Sequence, residues 1–216
     1  MNNPDQTVPP APAPLTLTDF RQARFLTSAA QLSQCPADTG QEVAFAGRSN
    51  AGKSSCINCL TDNRQLARTS KTPGRTRLIN FFSLDKDDSC RLVDLPGYGY
   101  AKVDQKTHAE WEKHLEAYLE RRQSLRGLVL LMDCRHPLKD FDRNMIAWAS
   151  TAQLPVHVVL TKADKFNRGP AQQILQQTRK ALDGWASNTS VQLFSAQNRS
   201  GLEELANQVA DWLLPA

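Results

Sequence analysis

Gly47-Arg48-Ser49-Asn50-Ala51-Gly52-Lys53-Ser54 has the spacing G-x-x-x-x-G-K-S, and no other stretch restricts the fold of this chain so tightly. The pattern is that of a phosphate-binding loop. Gly47 and Gly52 let the backbone turn sharply, so that consecutive N–H groups converge as an anion nest. Lys53 adds a positive charge at the β- and γ-phosphates, and Ser54 offers a hydroxyl to Mg²⁺. A helix that follows points the positive end of its dipole at the same phosphates. Both flanks suit this arrangement: Val43-Ala44-Phe45-Ala46 reads as a short buried strand, and Ser55 to Leu60 continues as a helix. A plain Gly-rich turn before a helix is the alternative, and the strand–loop–helix context weighs against it.

The rest of the chain has the length to build a domain around that loop. Its 216 residues, 40% of them hydrophobic, fit one domain of ordinary size plus a tail. A net charge of +4 permits an acidic partner without demanding one. Five cysteines, an odd number without framework spacing, point to a reducing compartment. Cys56-x-x-Cys59 lies inside the helix after the loop with no second pair to complete a zinc set, so packing thiols are expected. No segment has the apolar length of a membrane span, and no secretory signal opens the chain. The cytoplasm is the expected location.

Residues 1–20 read as a disordered, Pro-rich arm, with Pro4, Pro9, Pro10, Pro12 and Pro14. Residues 21–216 read as a single domain. Within it, 21–34 lead in as a short strand and helical turn. Asp62 to Thr76 is a long polar loop, expected to be functional and mobile. Leu78 to Phe82 and Cys90 to Asp94 are strand-like, with Asp85-Lys86-Asp87-Asp88 as the hairpin turn. Residues 105–122 form an amphipathic helix with Trp111, Leu115, Tyr118 and Leu119 on its apolar face.

Strand and helix then alternate. Leu128 to Met132, Val156 to Leu160 and Val191 to Phe194 are strands. The intervening helices are capped by Asp140, opened by Pro170 and closed by Gly184, and the last starts at a Ser200-Gly201-Leu202-Glu203 capping box. The expected class is α/β, doubly wound. It has a six-stranded, mostly parallel sheet with one antiparallel hairpin strand and about five main helices.

Three segments choose the nucleotide. Asp94-Leu95-Pro96-Gly97 follows a strand end, where an aspartate can hold a Mg²⁺-bound water and the Gly97 N–H can reach the γ-phosphate, although D-x-x-G alone is also common in short turns. Thr161-Lys162-Ala163-Asp164 follows another. The Asp164 carboxylate accepts two hydrogen bonds from guanine N1–H and the 2-amino group, a donor pair that adenine lacks. The stem of Lys162 lies over the base. Phe194-Ser195-Ala196 ends the last strand, where backbone N–H groups reach the guanine oxygen.

At this point the sequence resembles the P-loop GTPases, and within them the EngB family of ribosome-biogenesis GTPases. The closer match rests on Gly47 to Ser55, Lys71-Thr72-Pro73-Gly74-Arg75-Thr76 and Asp94-Leu95-Pro96-Gly97-Tyr98-Gly99-Tyr100-Ala101. Met132-Asp133-Cys134-Arg135-His136-Pro137-Leu138-Lys139-Asp140 and Thr161 to Asp164 complete it, all in the expected order across roughly residues 20–214. The resemblance implies that Gly74, Arg75, Thr76, Arg77 and Leu78 form a first switch, with Thr76 joining Ser54 on Mg²⁺. It assigns catalysis to Lys53, Thr76 and Gly97. Two positions depart from the commoner GTPase pattern. Thr161 stands where asparagine is usual, which puts in doubt only a loop-bracing hydrogen bond, and Tyr98 stands where many relatives keep a glutamine that orients water. Slow intrinsic hydrolysis is therefore expected. Asn50 occupies the position that helps bind K⁺ in cation-dependent relatives, so K⁺ is a second expected cofactor.

Arg64, Arg68, Lys71, Arg75 and Arg77 form a basic loop, and Lys102, Lys106, Lys113, Arg121 and Arg122 add to it. A solvated mobile loop is the plain reading of such a charge run, but its overlap with the segment that γ-phosphate should order suits reversible contact with RNA backbone. The resemblance names the large ribosomal subunit as the partner of a monomeric GTP/GDP switch, with an effect on septation. An adaptor in cell division, with hydrolysis secondary, is the alternative. A P-loop kinase for a small molecule is a third reading, and it has no use for a guanine reader.

Overall fold

The computed structural model describes residues 15–67, 78–97, 105–183 and 188–214. The Pro-rich segment before residue 15, Gly74 to Arg77 of the expected first switch, Tyr98 and Gly184 lie outside these residues. So does the side chain of Trp111.

Chain order is α1 (Leu17–Phe20), β1 (Arg24–Ala29), β2 (Gln41–Gly47), α2 (Lys53–Leu60), β3 (Ile79–Ser83), β4 (Cys90–Asp94), α3 (Gln105–Arg121) and β5 (Leu125–Asp133). Then follow α4 (Asp140–Thr151), β6 (Val156–Thr161), α5 (Arg168–Leu182), β7 (Thr189–Leu193) and α6 (Leu202–Leu213). The strands make one seven-stranded sheet in the order β1-β3-β4-β2-β5-β6-β7. Strand β3 pairs antiparallel with both β1 and β4, while β4, β2, β5, β6 and β7 are mutually parallel. The sheet thus has seven strands rather than the expected six. The additional strand is β1, from the lead-in segment, and a register shift between Phe25 and Thr27 bends it.

The alternation of the central strands explains the layers. Ala44, Ala46, Leu128, Leu130, Val158 and Leu160 face a core completed by Leu115, Tyr118 and Leu119 of α3, Met145 and Ile146 of α4, and Leu175 of α5. Val43, Phe45, Val129, Leu131 and Val159 face the other side, against Ile57 and Leu60 of α2 and Leu205, Val209 and Leu213 of α6. Phe20 of α1 is fully buried in that second core. The last residues of the expected arm therefore belong to the folded domain. An apolar ring at the end of one helical turn outweighs the polar, Pro-rich segment before it.

Three helix starts differ from expectation. Helix α6 begins at Gly201, which is left-handed (φ 75°) and makes no side-chain cap. Leu193 O would lie 2.2 Å from a Cβ there, so close strand contact and not a capping box sets this start. At α4 the N-cap is Lys139, whose N–H donates to Asp142 at 2.9 Å, in place of capping by Asp140. Pro170 sits within the first turn of α5, behind Asn167 as N-cap. The hairpin turn falls where expected: Asp85 accepts from the N–H groups of Ser89 and Cys90, both at 2.9 Å.

At the sheet end opposite the parallel strands' C-termini, Glu42 is fully buried. It accepts from Arg91 Nε at 2.7 Å, Arg122 Nε at 2.9 Å and Nη2 at 2.7 Å, and the Tyr118 hydroxyl at 2.9 Å. This cluster ties the C-terminal part of α3 to β2 and β4. It removes Arg122 from the expected basic surface, since that side chain is consumed in the interior.

Candidate functional site

Parallel strands deliver their C-terminal ends to one rim, and the turns that leave that rim carry the residues singled out in the sequence. The first follows β2. Gly52 takes φ 95° and Asn50 φ 62°, so the loop closes through left-handed backbone directly into α2. Gly47 serves differently from the expected tight turn. A Cβ there would lie 2.8 Å from the Leu131 carbonyl oxygen, so its bare backbone lets β2 lie against β5.

The second turn leaves β4. Asp94, opposite Phe45 in the β2 register, is buried and forms an ion pair with Lys53. Leu95 continues the pairing, its N–H donating to Phe45 O at 3.0 Å. Pro96 is buried, whereas Gly97 is exposed and lies against the phosphate loop, where a Cβ would stand 3.7 Å from Ser49 N. Lys53 and Asp94 are thus joined, Gly97 lies against the phosphate loop, and Ser54 follows Lys53 at the start of α2. A hydroxyl at the first turn of α2 and a buried carboxylate paired with the preceding lysine are donors of the kind Mg²⁺ takes, since it uses few protein oxygens and completes its shell with phosphate and water. Thr76 falls outside the described residues. Leu78, just before β3, is exposed.

The third turn leaves β6. Thr161 is buried, and its hydroxyl donates to Ala51 O at 2.5 Å, with Met132 O at 3.2 Å. The brace usual for asparagine is therefore present with threonine. Lys162 is left-handed (φ 60°) and sends Nζ to Asn50 O at 2.7 Å and to Asp133 Oδ2 at 2.8 Å. Asp164 accepts from Ser195 Oγ at 2.6 Å and pairs with Lys165 at 3.2 Å. The Ser195 hydroxyl bond, with Lys165 assisting, holds the Asp164 carboxyl below its ordinary value, so it stays an acceptor.

The turn after β7 completes the rim. Phe194 N–H donates to Leu160 O at 2.8 Å and Ser195 N–H to Ser200 O at 3.0 Å, while Ala163 N–H donates to Phe194 O at 3.1 Å. Of the three expected amide donors, Phe194 and Ser195 are spent inside the protein. Ala196 N–H, without a protein acceptor among the described residues, is the one that remains for a ligand oxygen.

A groove of about 1080 Å³ lies elsewhere, along β7 between α5 and α6, and contains none of the expected nucleotide residues. A neighbouring groove of about 550 Å³ reaches Ala163 and Asp164. The rim also holds a carboxylate at the end of β5. Asp133 ends β5 and is held by Arg135 through Nε at 2.9 Å and Nη2 at 2.6 Å. The available signal was a carboxylate placed at the C-terminal end of a wholly apolar run.

This fold and this rim define a P-loop GTPase. A family model described as "50S ribosome-binding GTPase" matches residues 42–162, more than half of the chain. The chain belongs to that GTPase family. Among solved structures it is similar to a probable GTP-binding protein EngB, with 21% identity, TM-score 0.63, and coverage of 80% of this chain and 98% of that one. It is also similar to Era in complex with MgGDPNP and nucleotides 1506–1542 of 16S ribosomal RNA, with 22% identity, TM-score 0.63, and coverage of 82% and 58%. The G domain of the T. maritima FeoB iron transporter gives 24% identity, TM-score 0.53, and coverage of 80% and 98%. These likenesses establish the fold. No described helix is long and apolar enough to cross a membrane.

Proposed function

We propose that this chain is a slow GTPase switch of the EngB type that assists assembly of the large ribosomal subunit in the cytoplasm, with normal septation depending on it. The observation that supports the reading best is the Thr161–Ala51 hydrogen bond of 2.5 Å, which joins the base-reading turn to the phosphate loop. A guanine nucleotide spans those two turns. Lys53 stabilises charge on the β- and γ-phosphates, and the Gly97 N–H meets the γ-phosphate. Asp164 takes the guanine N1–H and 2-amino donors, and Ala196 N–H takes its oxygen. Ser54, Asp94 and Thr76 would hold Mg²⁺, which when bound neutralises phosphate charge. Gly74 to Leu78 act as the first switch, and Tyr98, in place of glutamine, leaves attacking water poorly oriented.

In this reading GTP orders the switch segments, the ordered form docks on pre-ribosomal RNA or protein through the basic loop, and hydrolysis releases it. Arg64 and Lys113 are both exposed. The working unit is a monomeric domain, with the Pro-rich segment before it. The Asn50 side chain, exposed and without a protein partner among the described residues, supports a K⁺ role near the phosphates. Equal turnover in K⁺ and Na⁺ buffers would remove that assignment.

Two experiments test the proposal. Calorimetry with GDP and with GTP should show binding, and ADP should not compete. Ribosomal particles sedimented with the protein should carry more of it in a non-hydrolysable GTP analogue than in GDP. No binding of either guanine nucleotide ends the enzymatic reading. Binding with no dependence of ribosome association on nucleotide favours a division adaptor.

A further inference from the structure

The β5 end carries a carboxylate that takes no part in the chemistry above. Asp133 stands opposite Thr161 in the β5–β6 register, with its side chain 16% exposed. Its Oδ2 accepts from Lys162 Nζ at 2.8 Å, and the same ammonium donates to Asn50 O at 2.7 Å. Lys162 is therefore held at two points, one on the phosphate loop and one on the central strand. Arg135 holds Asp133 in turn, through its backbone N–H at 3.0 Å and its guanidinium at 2.9 and 2.6 Å. That guanidinium, seconded by Lys162, keeps the Asp133 carboxyl well below the usual carboxylate range, so the anchor is charged at any working pH.

A lysine stem is long and flexible, and ordering it over a flat base costs rotamer entropy. A stem already tied at its tip has lost that freedom before the ligand arrives. We propose that Asp133 is a positioning residue for guanine recognition: it fixes Lys162 so that the lysine stem is set to cover the base, and Arg135 fixes Asp133. The inference rests on the guanine reading above and adds a residue to it. If the cluster merely tied β5 to β6, it would matter for folding and leave nucleotide release alone.

The test uses the full chain and a fluorescent GDP, with Asp133→Ala, Asp133→Asn, Lys162→Ala and the double variant Asp133→Ala/Lys162→Ala. Losing one charge-assisted anchor should weaken GDP binding about tenfold in Asp133→Ala, through faster release. GTP turnover at saturation should stay within about twofold, because the residue sits at the base end and away from the γ-phosphate. The double variant should bind GDP no more weakly than Lys162→Ala alone, as two residues acting in series require. Unchanged GDP release in Asp133→Ala overturns the proposal, and so do additive losses in the double variant. A lowered melting temperature with nucleotide affinity intact shows a structural pair only and also overturns it. If Asp133→Ala does not fold, the cycle built on Asp133→Asn decides by the same criteria. A wild-type chain that ignores GDP defeats the guanine reading itself, whereas tight wild-type binding with an indifferent Asp133→Ala defeats this inference alone.

Discussion

At Thr161 a hydroxyl does the work usually given to an asparagine amide, and the consequences are specific to its atoms. Replacing it by valine keeps the shape but leaves the Ala51 carbonyl without its 2.5 Å donor. A buried carbonyl left unpaired costs about 1–3 kcal/mol. Thr161→Val should therefore lower the unfolding midpoint in urea and weaken GDP binding together, while Thr161→Ser should restore both. Asp164 gives a sharper test. Asp164→Asn exchanges an acceptor for a donor, and xanthine carries an oxygen where guanine carries its 2-amino group. The expected result is a switch of preference from GDP to xanthosine diphosphate in a competition assay, and retained guanine preference would show the base site to be misassigned.

Among the elements, α3 is fastened by charge as much as by packing. Tyr118 and Arg122 reach the fully buried Glu42, which Arg91 of β4 also holds. Removing one member of a buried ionic cluster strands the others, and such losses run to about 3–5 kcal/mol. Glu42→Gln should accordingly destabilise the chain far more than Tyr118→Phe, as read from urea unfolding followed by tryptophan emission. On the other face, Gly127 of β5 lies beneath Trp212 of α6, whose ring would be 2.2 Å from a Cβ at that position. Gly127→Ala must displace the indole, and overpacking of this kind costs roughly 1–3 kcal/mol.

These elements also show what the sequence carried openly and what it hid. Local signals placed the phosphate loop, the Asp94 to Gly97 turn and the Thr161 to Asp164 turn, because each combines a strand end with residue types that only one chemistry requires. Strand β1 is only weakly marked in the sequence, since it lies at the sheet edge with Phe25 57% exposed and lacks an apolar run. The Glu42 cluster was invisible, because its members are separated by up to 80 positions and look like surface charges one at a time. The Gly201 start of α6 imitated a capping box because Ser200 and Glu203 have the right spacing. The backbone contact with Leu193 that decides the geometry has no local signature.

For the whole molecule, the parallel half of the sheet has a pH-sensitive seam away from the rim. His157 of β6 is buried and bonds Ser190 of β7 through Nδ1 and Gln192 through Nε2, both at 2.7 Å. Burial holds its imidazole below the ordinary value of 6.5, against the opposing pull of Gln192 and Glu204. The unfolded chain therefore takes up the proton first. Stability from this group is complete above pH 6.5 and is lost as pH falls from there through the lower folded value. His157→Gln should flatten that part of the curve in calorimetric melts taken across the range, and an unaltered slope would assign the effect to carboxylates. The threonine and lysine links from the β6 turn to the loop after β2 have a consequence of another kind. Two halves of one berth that share a beam cannot loosen separately. Pyrophosphate alone, once seated, should stiffen the place proposed for a nucleoside, and calorimetry should find that each fragment binds more tightly with the other present than to the empty protein.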